Sequence, residues 1–146
     1  MADAEVVVSQ SHAYQELIFQ HSKNPVGLGA LPVGGLSATV VNSLCGDEVT
    51  IGLAWVAGGA QLGFVSSGCS LCRASASIMI AAASTKTATE LMPMIADFRS
   101  HFSSLEPLAA DQEPSALSAL YDLRRYPSRQ RCVLLAWDAI AKLLYT

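Results

Sequence analysis

Three short segments of this chain hold all four of its cysteines: Cys45-Gly46-Asp47, Gly68-Cys69-Ser70-Leu71-Cys72 and Arg129-Gln130-Arg131-Cys132. Each falls where an element should begin or turn, not inside an apolar run. Thiolates at loops and helix starts are open to metal or sulfur chemistry, because partly exposed, electropositive surroundings favour the deprotonated form. Cysteines scattered through a core would instead replace Ala or Val in periodic apolar segments, without polar neighbours. The pattern therefore points to one thiolate-rich site assembled from three distant segments.

Zinc takes four ligands in a tetrahedron, and soft thiolates suit zinc or the iron of iron–sulfur clusters. Cys45, Cys69 and Cys132 come from one turn and two helix starts. They converge if both helices begin against the same end of a sheet. Asp47 follows Cys45 across a glycine and offers a carboxylate oxygen. Cys72, at i+3 from Cys69, shares its helix face. It can be a fourth ligand, a second acceptor thiol or a small core residue, and taken alone the core reading is favoured. A lone C-x₂-C is a weak metal signal. A thioredoxin-like redox pair at Cys69 and Cys72 would need alternating strands and helices around it. Here the strands precede the motif and the helices follow it. Arg129 and Arg131 flank Cys132 and can hold a thiolate or persulfide anion by charge-assisted hydrogen bonds. The histidines, His12, His21 and His101, sit on helical stretches away from any cysteine and read as surface or satisfied residues.

The elements that must position these residues follow from the pattern. Ser11 to His21 reads as an amphipathic helix with Ser11 as N-cap, stopped by Asn24-Pro25. The glycine-rich stretch 27–35 reads as loop and lacks a phosphate-loop pattern. Three strands are expected at Leu36–Asn42, Glu48–Val56 and Gln61–Ser66, joined as an antiparallel meander with a turn at Gly58-Gly59. Val49, Ile51, Leu53 and Trp55 share one face, and Trp55 and Trp137 are expected in the core. Helices are expected from Ser70 to Thr85, apolar nearly all round and therefore central. Others should run from Thr87 to Leu105, from Ser115 to Leu123 and from Ser128 to Tyr145. Pro93 requires the second of these to start near Thr89. Pro107 to Pro114 reads as an acidic loop. The fold class is α+β: a three-stranded antiparallel sheet packed with about five helices, over one domain spanning residues 1–146.

Composition narrows the partners. The chain has 146 residues, 51% hydrophobic and 14% charged, with a net charge of −3. Nucleic acid is disfavoured, since phosphate binding needs a basic face. With aromatics at only 7%, a base-stacking platform is disfavoured too. No apolar run is long enough to span a membrane. The acidic start Met1-Ala-Asp-Ala-Glu lacks the basic residues of an export signal. A cytoplasmic, reducing setting with free thiols is expected.

Taken together, these segments resemble the iron–sulfur cluster assembly proteins of the SufU, IscU and NifU N-terminal type. The resemblance begins at Tyr14-Gln-Glu-Leu-Ile-Phe-Gln-His21 and Lys23-Asn24-Pro25. It continues through Asn42-Ser-Leu-Cys-Gly-Asp47, Gly68-Cys69-Ser70 and Ala74-Ser75-Ala76-Ser77. It closes at Tyr126-Pro127-Ser-Arg129-Gln-Arg131-Cys132 and Trp137. Arg131 stands where IscU-type chains carry a histidine, and the segment from Thr85 to Tyr126 is long, so the chain is most similar to SufU. The resemblance implies the same sheet-and-helix fold. It also implies a zinc site of Cys45, Asp47, Cys69 and Cys132, with Cys45 as the thiol that accepts sulfur. The implied partners are a SufS-like pyridoxal-phosphate cysteine desulfurase and downstream cluster assembly proteins. In such proteins the desulfurase takes over one metal ligand and frees a thiolate for its persulfide, a sulfurtransferase role. The alternative is a scaffold that binds iron and builds a [2Fe–2S] cluster for transfer. Cys72 departs from the family pattern and makes a four-cysteine set without Asp47 an alternative. Asn-Ser-Leu before Cys45, and the low charge between Lys86 and Ser115, are further departures.

Overall fold

The computed structural model describes residues 2–44, 46–104 and 115–145, with residues 2–11 described by backbone alone. The element order is α1 (Ala2–Lys23), β1 (Leu36–Val41), β2 (Glu48–Val56), β3 (Gly59–Ser67), α2 (Ser70–Ala83), α3 (Ala88–Phe102), α4 (Ala116–Asp122), a short 3₁₀ turn (Leu123–Arg125) and α5 (Pro127–Leu144). The three strands form an antiparallel sheet in the order β1-β2-β3.

Strand alternation sorts the sheet into two faces. Val49, Ile51 and Leu53 are buried on the inner face, with Leu62 and Phe64 opposite Leu53 and Ile51 on β3. α5 covers this face over β1 and β2, and α2 covers it over β3 and β2. Trp55 has the same parity but is 47% exposed, so the expected core placement does not hold. It pairs with Ala60 next to the hairpin turn. Alternation sets the direction of a side chain, not whether a helix reaches that end of the strand. Trp137 is fully buried, as expected, and stacks on Phe98 with ring centroids 3.6 Å apart.

The outer face is crossed by the glycine-rich segment. Leu28 pairs with Phe64 at the free edge of β3. The chain then passes over Gly63 and Gly52, which face each other across β2 and β3. A Cβ on Gly63 would lie 2.0 Å from the Ala30 carbonyl oxygen, and one on Gly52 would meet Leu31 and Pro32. Only glycine allows this close approach.

The helix boundaries correct several expectations. α1 begins at Ala2, so Ser11 lies inside the helix and is not its cap. α2 ends at Ala83, two residues early. α3 starts at Ala88 with Thr87 as N-cap in a capping box with Glu90, so Pro93 falls in the second turn. Proline there forfeits one intrahelical bond. The buried series Leu91, Ile95, Phe98 and Phe102 carries the helix regardless. Its expected end at Leu105 and the acidic loop at Pro107 to Pro114 lie outside the described residues.

Candidate metal centre

Two helix starts and one turn meet at one end of the sheet. The β1–β2 connection is closed by the Asn42 N–H donating to the Asp47 carbonyl (2.7 Å) and the Gly46 N–H donating to the Asn42 carbonyl (2.7 Å). The Leu44 N–H donates to Asn42 Oδ1 at 3.1 Å. This turn brings the Asp47 carboxylate to the N-terminus of α2. There Oδ1 accepts the Cys69 N–H at 3.2 Å. A carboxylate is favoured at this position by the free N–H groups and the helix dipole. Cys69 is itself the N-cap but makes no side-chain cap bond; Asp47 supplies the acceptor from a different part of the chain.

Gly68 makes room for that carboxylate. Its φ is +127°, and a Cβ there would lie 2.1 Å from Asp47 Oδ1. The α2–α5 contact fixes the remaining thiols. Ser75 Oγ donates to the Val133 carbonyl (2.6 Å) and accepts from Trp137 Nε1 (3.2 Å). Ser75 lies one turn beyond Cys72, and Val133 directly follows Cys132. This buried clamp therefore sets the two cysteines against each other.

The result is a compact donor set. Asp47, Cys69, Cys72 and Cys132 each present one atom within 4.8 Å of all the others, an arrangement that could hold a metal ion. Cys69 Sγ and Cys72 Sγ are 3.4 Å apart. The thiols of Cys72 and Cys132 each lie 3.6 Å from Asp47 Oδ2. Tetrahedral zinc, with Zn–S of about 2.3 Å and Zn–O of about 2.0 Å, implies S···S edges of about 3.8 Å and S···O edges of about 3.5 Å. The donor types suit zinc, and these three separations lie near the edges of such a tetrahedron. Burial pushes the Cys72 thiol well above its ordinary range, reinforced by Cys69. Burial likewise pushes Cys132 up to about 12. Without a cation Cys72 and Cys132 keep their protons, and a bound divalent ion is what would bring out their thiolates.

The cluster has a buried side and an open side. Asp47 and Cys72 are buried, whereas Cys69 is exposed and Cys132 is half-buried. A cavity of about 500 Å³ reaches the open side, lined by Cys69, Cys132, Leu71, Ile18, Phe19 and Arg129 among others. Arg129 also stands over the Tyr126 ring, 5.1 Å from its centroid. It is one turn before Cys132 and shares its face. Arg131 is exposed and is not among the cavity's lining residues. Cys45 lies outside the described residues; its neighbours Leu44 and Gly46 are exposed. The α1 wall of the cavity and the role of Gly68 were not readable in advance. An amphipathic pattern shows that a helix has an apolar face, not that part of that face borders a distant thiol.

The histidines take no part in the cluster. His21 Nδ1 bonds Ser77 Oγ (2.7 Å), His101 Nδ1 bonds the Asp97 carbonyl (2.8 Å), and His12 is exposed. No helix among the described residues is long and apolar enough to cross a membrane.

An antiparallel three-stranded sheet, backed by helices whose N-terminal turns gather three thiols around a carboxylate, defines an α+β protein with a thiolate-rich candidate metal centre. Residues 13–133 match the NifU-like N terminal domain, and the chain belongs to that family. It is 27% identical to the iron–sulfur cluster assembly scaffold protein IscU of Streptococcus pyogenes over 92% of this chain and 84% of that one. It is also 27% identical to the zinc-dependent sulfurtransferase SufU of Bacillus subtilis, over 88% of this chain and 87% of that one. Among solved structures it resembles a putative iron–sulfur cluster assembly scaffold protein for the SUF system from Fervidobacterium islandicum. The TM-score is 0.75 at 27% identity, covering 91% of this chain and 97% of that one.

Proposed function

We propose that this chain accepts persulfide sulfur from a cysteine desulfurase and delivers it to iron–sulfur cluster assembly, with zinc held by its carboxylate and thiols. The observation that carries this reading is the convergence of Asp47, Cys69, Cys72 and Cys132, whose donor atoms all lie within 4.8 Å of one another. The zinc-dependent sulfurtransferase among its relatives supports it. Bound zinc would hold the thiols as thiolates at neutral pH.

Cys45 is the proposed sulfur acceptor. Its thiolate attacks the outer sulfur of the desulfurase persulfide, the S–S bond breaks, and the desulfurase cysteine leaves as a thiolate. The transferred sulfur remains on Cys45 as a persulfide, so no external oxidant or reductant is needed. Arg129, at the mouth of the cavity, supplies positive charge for the anionic persulfide. Arg131, exposed one residue before Cys132, would contribute only from outside the cavity. The proposed partners are a SufS-like pyridoxal-phosphate desulfurase and the proteins that build clusters downstream, in the cytoplasm.

The relative named as a scaffold favours a second reading, in which the same donors hold a [2Fe–2S] cluster as cargo. Protein purified without oxygen separates the two. Stoichiometric zinc and no colour support sulfur relay; a red-brown protein with labile sulfide supports the scaffold. With a desulfurase and cysteine, mass spectrometry should find one added sulfur on Cys45. Cys45→Ala should abolish stimulation of desulfurase turnover, and Arg129→Ala should weaken it. A Cys45→Ala variant that still stimulates turnover, with persulfide on Cys69 or Cys72, overturns the assignment.

A further inference from the structure

We infer that strand β1 pairs with β1 of a second copy of this chain, antiparallel and centred on Thr39, so that the two three-stranded sheets join into one. The inference does not depend on the metal centre or on what it holds.

The two edges of the sheet, β1 and β3, differ in what covers them. On β3, the Phe64 carbonyl accepts the Gly29 N–H (2.7 Å) and the Phe64 N–H donates to the Gly27 carbonyl (2.9 Å). Further along, the Ala60 carbonyl accepts the Thr85 N–H (2.9 Å) and the Ala60 N–H donates to the Lys86 carbonyl (2.8 Å). The chain thus covers its own β3 edge at two places. These bonds also fix the phase of the ladder. In an antiparallel pair, opposed residues alternate between those that exchange hydrogen bonds and those that do not. Phe64 turns its backbone groups away from β2, so Ile51, opposite it, bonds toward β1. Ile51 lies opposite Ala38. Leu36, Ala38 and Val40 therefore bond β2, and Ser37, Thr39 and Val41 turn their N–H and C=O groups outward. No segment among the described residues bonds those groups, and the three side chains are exposed.

An open edge ordinarily carries a device that blocks pairing, such as a charge, a proline or a bulge. β1, Leu-Ser-Ala-Thr-Val-Val, has no charged residue and no proline, and its register against β2 is unbroken from Leu36 to Val41. The strand is also complementary to itself. Antiparallel pairing centred on Thr39 lets every outward residue exchange both of its hydrogen bonds: Ser37 with the second copy's Val41, Thr39 with its own counterpart, and Val41 with the second copy's Ser37. This is an isologous two-fold contact. Paired residues share parity, so the helical layers of both copies lie on one side. On that side Ala38 meets Val40, a small side chain against a branched one. On the other side Thr39, whose hydroxyl lies 2.7 Å from that of Thr50, meets its own counterpart in a favourable cross-strand pair. An extended segment of another protein would meet the same backbone groups. The match of residues 37–41 to their own reverse favours a second copy. β1 runs toward the metal centre, so antiparallel pairing sets the two centres at opposite ends of the joined sheet.

Residue 39 opposes itself at the two-fold axis, which makes a charge test possible. Full-length wild type, Thr39→Lys and Thr39→Glu are followed by sedimentation velocity from low micromolar to submillimolar concentration. A reductant and a chelator are present, so that neither disulfides nor metal ions bridge copies. Wild type should pass from a 15.4 kDa monomer to a dimer as concentration rises. Each variant alone sets like charges opposite each other and should associate about fivefold more weakly. The two variants mixed in equal amounts should regain association. Amide exchange on wild type is the second readout, and it decides the matter if a variant fails to fold. The N–H groups of Ser37, Thr39 and Val41 should become protected as concentration rises, while those of Ala38 and Val40 stay protected throughout. A wild type that remains monomeric, or a dimer that both variants form as well as wild type does, overturns the inference. So does a mixture that associates no better than either variant alone, or protection at Ser37, Thr39 and Val41 that does not rise with concentration. Protection there only when a cysteine desulfurase is added assigns the edge to that partner and overturns self-pairing.

Discussion

The Cys69 backbone N–H donates to Asp47 Oδ1, while Asp47 Oδ2 faces the sulfurs of Cys72 and Cys132 at 3.6 Å. One carboxylate thus caps helix α2 with one oxygen and completes the donor set with the other. The two roles separate in Asp47→Asn, which keeps an oxygen for the Cys69 N–H but loses the charge. Its metal-free melting temperature should stay close to wild type. Its zinc affinity, measured against a competing chelator, should fall by at least about tenfold. Asp47→Ala should lose both, with about 0.5–2 kcal/mol of stability from the missing cap. Zinc affinity in Asp47→Asn equal to wild type would make the carboxylate a cap alone.

Gly68 is the residue on which that geometry depends most directly. Any side chain there meets the Asp47 carboxylate and must adopt a φ of +127°. Gly68→Ala should destabilise the metal-free protein by more than about 1 kcal/mol and weaken zinc binding together with it. Urea denaturation and zinc competition on the same sample check both. An alanine variant with wild-type zinc affinity would mean that the carboxylate can move aside without consequence.

The three cysteine-bearing segments, the strand order and the central α2 helix were legible in the sequence because each has a local signature. Alternation marks Val49, Ile51 and Leu53, and the run from Ser70 is apolar all round. What was not legible is set by distant partners. Trp55 follows the alternation perfectly and is still exposed, because burial depends on where the helical layer stops. The start of α3 is by contrast local: the capping box of Thr87 and Glu90 sets it at Ala88, one residue from the expected Thr89. The cluster followed the same division. Three thiol-bearing segments and an aspartate could be picked out by type, but whether Cys72 faces the core or the carboxylate depends on the register of α2 against the β1–β2 turn. Arg129 and Arg131 could not be separated by composition; helix phase separates them, since only Arg129 lies one turn from Cys132.

The clamp between α2 and α5 yields a further expectation. Ser75 accepts the Trp137 Nε1–H inside the core. Ser75→Ala orphans that donor, whereas the Val133 carbonyl lies within α5, where helical bonding can still satisfy it. The cost should be about 1–3 kcal/mol. In a Trp137→Phe background the same serine substitution should cost clearly less, since the orphaned N–H is gone. Denaturant midpoints of the four proteins in the cycle measure the coupling. Simple additivity would show that the serine acts through Val133 alone.

Metal removal should weaken the domain without unfolding it. The sheet and helices share an extensive buried core that is largely independent of the four donors. Small zinc fingers lack such a core and unfold without metal. Zinc at about one hundred times its dissociation constant should add about 2.7 kcal/mol. Circular dichroism after chelation should keep its helical signal, with a lower melting temperature. A random-coil spectrum would show that the core does not hold the fold alone.

His21 gives the protein a pH dependence that is separate from the thiols. Its Nδ1 lies 2.7 Å from Ser77 Oγ, and the same oxygen accepts the Val26 N–H at 2.7 Å. A neutral imidazole accepts from the serine hydroxyl, leaving that oxygen free to accept the Val26 N–H. A protonated ring cannot accept, and the serine would then face two donors. Burial holds the His21 pKa below its ordinary value. The unfolded chain therefore takes up a proton at pH values where the folded chain does not. Stability is full above about 6.5, the unfolded value. It falls as pH drops from there through the lowered folded-state value, because the unfolded state binds more protons in that window. The metal-free, reduced protein should show this in urea midpoints taken at about pH 7.5 and about pH 5.5. His21→Gln, which offers a side-chain amide but no titrating group, should be less stable at the higher pH and lose less on acidification. Parallel loss in wild type and variant would place the acid sensitivity elsewhere and leave His21 a plain hydrogen-bond partner of Ser77.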